Sequence, residues 1–209
     1  MKYAKKIPQA DPELREALLA EGWKKLKEPQ SLFWAILFSI PFMVINALIC
    51  YFVLLLVNPT YAHMVYDFLY SGIWHFTIRF DYIIYVYLFV VAHELIHLVF
   101  IPNFYRSDKT YIGIKPWGGF VFTTEKIGKG RFLLITVAPF VVFSILAPAI
   151  LGFAGLLNGF LLFLIFLNAF SSCVDMLNAV IIAIQVPNGS TIVNNGFETY
   201  FKAPLTRQA

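Results

Sequence analysis

The sequence predicts an all-α polytopic membrane protein, with about four transmembrane helices and a small cytoplasmic β-hairpin between the second and third. Three observations lead there. The 209 residues are 59% hydrophobic and only 13% charged, and their mean hydropathy of +0.72 is far above that of an ordinary soluble domain. Four apolar stretches, at about 32–57, 80–101, 132–157 and 160–186, each reach the roughly 20 helical residues that a bilayer core requires. Lys and Arg crowd some of the connecting segments and are missing from others, which is how a membrane protein records its orientation.

Residues 1–31 come first and are expected on the cytoplasmic side. Lys2, Lys5, Lys6, Arg15, Lys24, Lys25 and Lys27 are mixed with acids there, and no short apolar core with a small-residue cleavage site follows, so the segment is not a signal peptide. Asp11 can cap a helix that starts at Pro12, and Leu14, Leu18, Leu19, Trp23 and Leu26 fall on one side of it. Such an amphipathic helix suits a membrane surface, and suits nearly as well a position docked on the rest of the protein.

The spans form one membrane domain, 32–186, followed by a cytoplasmic tail, 187–209. Asn58–Gly72 and the Asn158-Gly159 turn contain no Lys or Arg, whereas the segment from Arg106 to Arg131 carries Arg106, Lys109, Lys115, Lys126, Lys129 and Arg131. The positive-inside rule then puts both termini and the long central loop in the cytoplasm of a multi-pass cell-membrane protein. Tyr70, Trp74 and Tyr82 fall near the outer interface. The net charge of +4 belongs to these flanking segments, so it speaks for the lipid bilayer as a partner and not for nucleic acid. Cys50 and Cys173 lie in apolar segments and imply neither a disulfide framework nor a metal knuckle.

The second span carries His93-Glu94-Leu95-Ile96-His97. Residues four apart on a helix lie one above the other, so two imidazoles address a single point while Glu94 projects from the adjoining edge. Two neutral imidazoles supply two of the three protein ligands of a catalytic Zn2+. Glu94 is then placed to take a proton from a water at the open position, the arrangement of a metal-dependent hydrolase. An ionised glutamate in the middle of a membrane helix costs roughly 2.5–3.5 kcal/mol on insertion scales, so such residues mark sites or pathways.

A third ligand is expected from the fourth span. Asn168, Ser171 or Ser172, Asp175 and Asn178 recur at three or four and form one polar stripe, in which Asp175 is the only acid. Asp175 stands 11 residues from Val186, roughly 16 Å, and His93 8 residues from Ile101, roughly 12 Å, both measured from the cytoplasmic side. Asn168 or Asn178 can orient Asp175 or the substrate carbonyl as a surrounding shell does. The other source of a ligand is a glutamate, Glu125 or Glu198, reached only if a loop or the tail folds back. His63 and His75 fall on the opposite side and are poor ligands.

These residues resemble a bacterial family of membrane zincin peptidases without an assigned substrate and, more distantly, the site-2 protease group of intramembrane metalloproteases. The resemblance covers about residues 80 to 202. It rests on the His93–His97 motif in a membrane helix, the glycine-containing strand region, Ala138-Pro139, the Asn168 to Asp175 helix, and Gln185-Val186-Pro187-Asn188-Gly189 through Gly196-Phe197-Glu198-Thr199-Tyr200. It implies zinc held by His93, His97 and Asp175. Met176 follows Asp175, where site-2 proteases usually have glycine.

Between the second and third spans, Tyr111–Pro116 and Phe120–Thr124 flank Trp117-Gly118-Gly119, the pattern of a hairpin with a glycine turn. Pro116 assigns the first strand to an edge, and an exposed edge can receive an extended peptide as an added strand. The hairpin serves equally as a small structural cap. The expected substrate is a membrane protein or peptide. A non-enzymatic class competes: a metal-handling transporter or an inactive protease relative acting through partners. A transporter would show repeated halves and several polar spans, and only the second and fourth spans carry site-like groups.

Overall fold

The computed structural model describes residues 1–70, 79–115 and 118–204. Trp74, His75, Pro116 and Trp117 lie outside the described residues. Among the described residues, four helices are long and apolar enough to cross a membrane: Leu32–Val57, Phe80–Phe100, Lys129–Phe153 and Gly159–Gln185. The first three shall be called α2 (Leu32–Val57), α4 (Phe80–Phe100) and the chain α5 (Lys129–Phe140), π segment (Val141–Leu146) and α6 (Ala147–Phe153). The fourth is interrupted at Ser172 into α7 (Gly159–Ser171) and α8 (Cys173–Gln185).

Local chemistry sets these boundaries. Ile101 precedes Pro102 and Val186 precedes Pro187; both are extended, with ψ of 126° and 122°, because a following proline disfavours helical backbone. Asn158 caps α7 through its side chain onto the Leu161 amide. The polar stripe expected on one continuous helix is therefore carried by two. Ser171 Oγ returns to the Asn168 carbonyl, and Ser172 is fully buried at the break, consistent with serine offering the backbone an alternative to the helical ladder.

The segment between the first two spans forms α3 (Pro59–Tyr70), packed through Ala62 on Cys50 and Leu54 of α2. Tyr82 stacks on Phe160 at a centroid distance of 4.1 Å. At the other end of the helices lie two sheets. One has the order β1 (Lys2–Tyr3), β3 (Thr110–Lys115), β4 (Gly118–Thr123); the other has β2 (Lys24–Lys25), β7 (Glu198–Lys202), β6 (Thr191–Asn195), β5 (Ile127–Gly128).

The predicted hairpin is present as β3 and β4, paired antiparallel from Thr110↔Thr123 to Lys115↔Gly118. Its edge assignment is reversed. Lys2 and Tyr3 pair in parallel with Tyr111 and Ile112, so β3 is central and β4 is the free edge. A two-residue strand has no periodicity by which a sequence could announce it.

The N-terminal helix α1 (Pro12–Ala20) starts as expected, with Asp11 Oδ1 accepting from the Glu13 and Leu14 amides. It stops before Trp23 and Leu26, and Leu19 stays exposed. Leu18 and Trp23 pack on Val193 and Tyr200 of the terminal hairpin. Burying a side chain of this size stabilises by about 1.5–3 kcal/mol, which for a nine-residue helix outweighs what its own propensity supplies. Docking on protein, the second of the two expected placements, is what the structure has.

Candidate metal centre

The site is built where helices fail to complete their own hydrogen bonds. His93 and His97 project from α4, and both Nε2 atoms stand 3.5 Å from the same oxygen, Asp175 Oδ2, in the first turn of α8. The three ligand-type atoms lie within 4.8 Å of one another. Two donors each about 2.0–2.1 Å from a tetrahedral zinc are roughly 3.3–3.4 Å apart, so this spacing fits a shared ion.

The far side of each ring decides whether Nε2 carries a lone pair. His97 Nδ1 is 2.8 Å from the Ile135 carbonyl; a carbonyl only accepts, so Nδ1 holds the hydrogen and Nε2 is free. His93 Nδ1 is 2.8 Å from Asn168 Oδ1. The amide cannot be turned round, because Nδ2 donates to the Pro139 carbonyl at 3.2 Å and to Ser144 Oγ at 2.9 Å. Ser144 Oγ in turn donates to the Ile165 carbonyl. As neutral imidazoles both histidines therefore keep Nε2 as the ligand nitrogen on the side shared with Asp175, where a cation would lie between them, and this outer shell fixes ring orientation as metal sites require.

The predicted site residues divide clearly. His93, Glu94, His97, Asn168, Ser171, Asp175 and Asn178 all line one cavity of about 510 Å³. Asn168 meets His93, and among the described residues it makes no hydrogen bond to Asp175. Ser171 is spent on its own helix, and Ser172 is buried at the helix break. Gly119 is essential in a way its sequence context did not reveal: a Cβ there would lie 2.9 Å from Glu94 Cγ, so only glycine lets β4 approach the motif helix. Gly118 has a φ of +147° at the hairpin turn and no close neighbour.

The two alternative glutamates are committed elsewhere. Glu125 accepts from Ser107 Oγ. Glu198 accepts from Arg15, Lys25 and the Tyr200 hydroxyl. Burial pushes the Glu198 carboxyl up, but the Lys25 and Tyr200 hydrogen bonds and the nearby cations outweigh it and hold it below the usual range. His63 is exposed on α3.

The sequence places Pro139 only within the family resemblance, with no role, and gives no sign of Ser144, Ile135 and Glu28. Proline inside an apolar helix was the available signal, since it frees the carbonyl four residues before it. Glu28 lies on the cavity wall, where its carboxylate accepts from the Thr199 amide (2.6 Å) and hydroxyl (3.0 Å). Burial raises its pKa against the lowering effect of those bonds.

A bundle of apolar helices holding two histidines and a carboxylate around one point defines a metal-site protein of the zincin type. The chain belongs to the family described as "Putative zincin peptidase", whose model matches residues 86–191. That stretch runs from the motif helix through Pro139, Asn168 and Asp175 to the start of β6. The family implies zinc. No curated protein and no solved structure matches the chain.

Proposed function

We propose that the protein is a zinc-dependent, membrane-embedded peptidase of the HExxH type, allied to site-2 proteases, that hydrolyses peptide bonds near the cytoplasmic face of the bilayer. The observation that carries this reading is the convergence of His93 and His97 Nε2 on one oxygen of Asp175, with Glu94 on the same helix lining the same cavity. Zinc held by those three residues would polarise the scissile carbonyl and make a bound water acidic. Glu94 takes the proton from the water and returns it to the leaving amine.

The free edge of β4 supports an extended peptide as substrate. Thr124 N–H donates to the Lys109 carbonyl and Ala4 N–H to the Ile112 carbonyl. Given the register, residues 118, 120 and 122 then exchange bonds with β3, while Gly119, Val121 and Thr123 direct their backbone groups outward. Four consecutive residues, Phe120 to Thr123, line the cavity. Side chains alternate along a strand, so it is the strand's edge that borders the site. Gly119 brings β4 against Glu94, where an added Cβ would fall 2.9 Å from Glu94 Cγ, and Asn194 Nδ2 caps the Thr123 carbonyl. A peptide added at Gly119 and Val121 would bring its backbone to Glu94, which is how strand addition aligns a substrate.

The proposed membrane placement is supported by the pairing of β1 with β3, β2 with β7 and β5 with β6. These join the N-terminal segment, the central loop and the terminal hairpin on one side of the four helices, the side richest in lysine and arginine. Cysteines introduced singly at Lys126 and Thr60, in a cysteine-free background, test it. An impermeant reagent added to intact cells should label the second and not the first; the reverse would invert the topology.

The decisive measurement is on Glu94→Gln in the purified full-length protein. Zinc content should stay at the wild-type level while cleavage of a membrane-tethered reporter peptide stops. Equal cleavage by the two proteins would remove Glu94 from the mechanism, and a wild type that binds no zinc would end the reading altogether.

A further inference from the structure

Pro139 sits inside α5 and is fully buried. In an α-helix the amide of each residue bonds the carbonyl four residues earlier, which here is Ile135. Proline has no N–H, so that bond cannot form. The Ile135 carbonyl is the one that accepts His97 Nδ1–H at 2.8 Å. Pro139's own carbonyl, two residues before the π segment, receives Asn168 Nδ2 at 3.2 Å, and Asn168 Oδ1 faces His93 Nδ1 at 2.8 Å.

One residue thus meets both histidines from behind. The group it lacks leaves an acceptor open for His97, and the group it keeps orients the amide that holds His93. We infer that Pro139 is a positioning residue for the metal centre: its missing N–H reserves the Ile135 carbonyl for His97 and so fixes the tautomer that leaves Nε2 free for metal. This inference rests on the metal-site reading given above.

The physical alternative is straightforward. An ordinary residue at 139 would donate to Ile135 along the helix axis and draw that carbonyl back into the ladder. His97 would then lose its sole carbonyl acceptor in the structure, its hydrogen would be free to move to Nε2, and the lone pair aimed at Asp175 would be lost from a fraction of the molecules. Outer-shell changes of this kind cost about 10–100-fold in metal affinity.

The test separates the missing hydrogen from the ring. Zinc affinity of the full-length protein is measured by competition with a chromophoric chelator for wild type, Pro139→Ala, and a third protein carrying lactic acid at 139. Lactic acid has alanine's side chain and an ester in place of the amide, so it again has no N–H. Alanine should weaken zinc binding by about 10–100-fold and the ester should return it to near the wild-type value. Pro41→Ala, at the proline inside α2, should leave it unchanged. Wild-type affinity in Pro139→Ala, or equal loss in the alanine and ester proteins, would overturn the inference. Absence of zinc binding by wild type would instead strike the metal reading itself.

Discussion

The helices and the sheets of this molecule make polar structure in opposite ways. Among the helices, polar contacts arise where the backbone ladder is interrupted: at Pro139, along the π segment that holds Ser144, and at the Ser172 break before Asp175. In the sheets they arise where a strand meets a segment distant in the chain, as when the Asn195 side chain bonds both the amide and the carbonyl of Asp11, the N-cap of α1. An apolar bundle has few side chains to spare for holding a ligand, and unpaired carbonyls are the acceptors it can offer. The comparison teaches that irregular backbone within a greasy helix is where the chemistry is anchored, and regular pairing outside it is where the anchor is walled in.

Substituting an acid on each side is the strongest way to break this comparison. Asp175→Ala should abolish stoichiometric zinc binding, as His97→Ala should. Glu198→Ala should keep the metal and lower stability by about 1 kcal/mol, since its partners Arg15 and Lys25 are half exposed and screened. Full metal retention in Asp175→Ala together with loss in Glu198→Ala would reassign the third ligand to the sheet.

A second substitution probes the seam between the regions. Gly119→Ala forces a methyl group against Glu94 and should cut peptide hydrolysis about 100-fold by misplacing the base. Zinc content and far-ultraviolet circular dichroism should stay unchanged. Wild-type turnover in that protein would show that β4 need not lie so close.

The smallest effect is in pH. Glu198 is held below its ordinary pKa, so it stabilises the fold at neutral pH and that contribution fades as pH falls through the lowered value. Glu28 is raised, so its contribution is present in acid and disappears as pH rises through the raised value. Thermal unfolding of Glu198→Gln should therefore come earlier than wild type at neutral pH and converge with it in acid. Glu28→Gln should unfold no earlier than wild type at neutral pH. The opposite ranking would mean that the two carboxyls have exchanged roles.

Much of the helical half was legible in the sequence. Leu32–Val57 was bounded as found, and the motif, Asp175 and the β3–β4 hairpin follow from spacing that is local in the chain. The tail shows what local spacing hides. Asn195-Gly196, between two β-rich runs, is a turn signal, and the expectation of a cytoplasmic tail over 187–209 passes over it. Gly196 has a φ of +60°, and a Cβ there would fall 2.4 Å from the Ala10 amide nitrogen, a contact 186 residues away that no window of sequence contains. The β3 edge assignment failed for the same reason. His97's acceptor was hidden differently, since the decisive atom is one that proline lacks.

The pairing of Lys24 and Lys25 with Tyr200 and Phe201 has a consequence for how the molecule comes into being. Ribosomes make Glu198–Lys202 after the four long helices of the described residues, so Glu28 meets Thr199 only after those helices have been made. Until then the cavity wall is incomplete, and Lys24 and Lys25 have no strand to join, although Lys2 and Tyr3 can already pair with β3. On the function proposed above, the cavity gains this wall only after His93, His97 and Asp175 have all been made, so shorter nascent chains hold the candidate ligands without the wall that Glu28 and Thr199 supply.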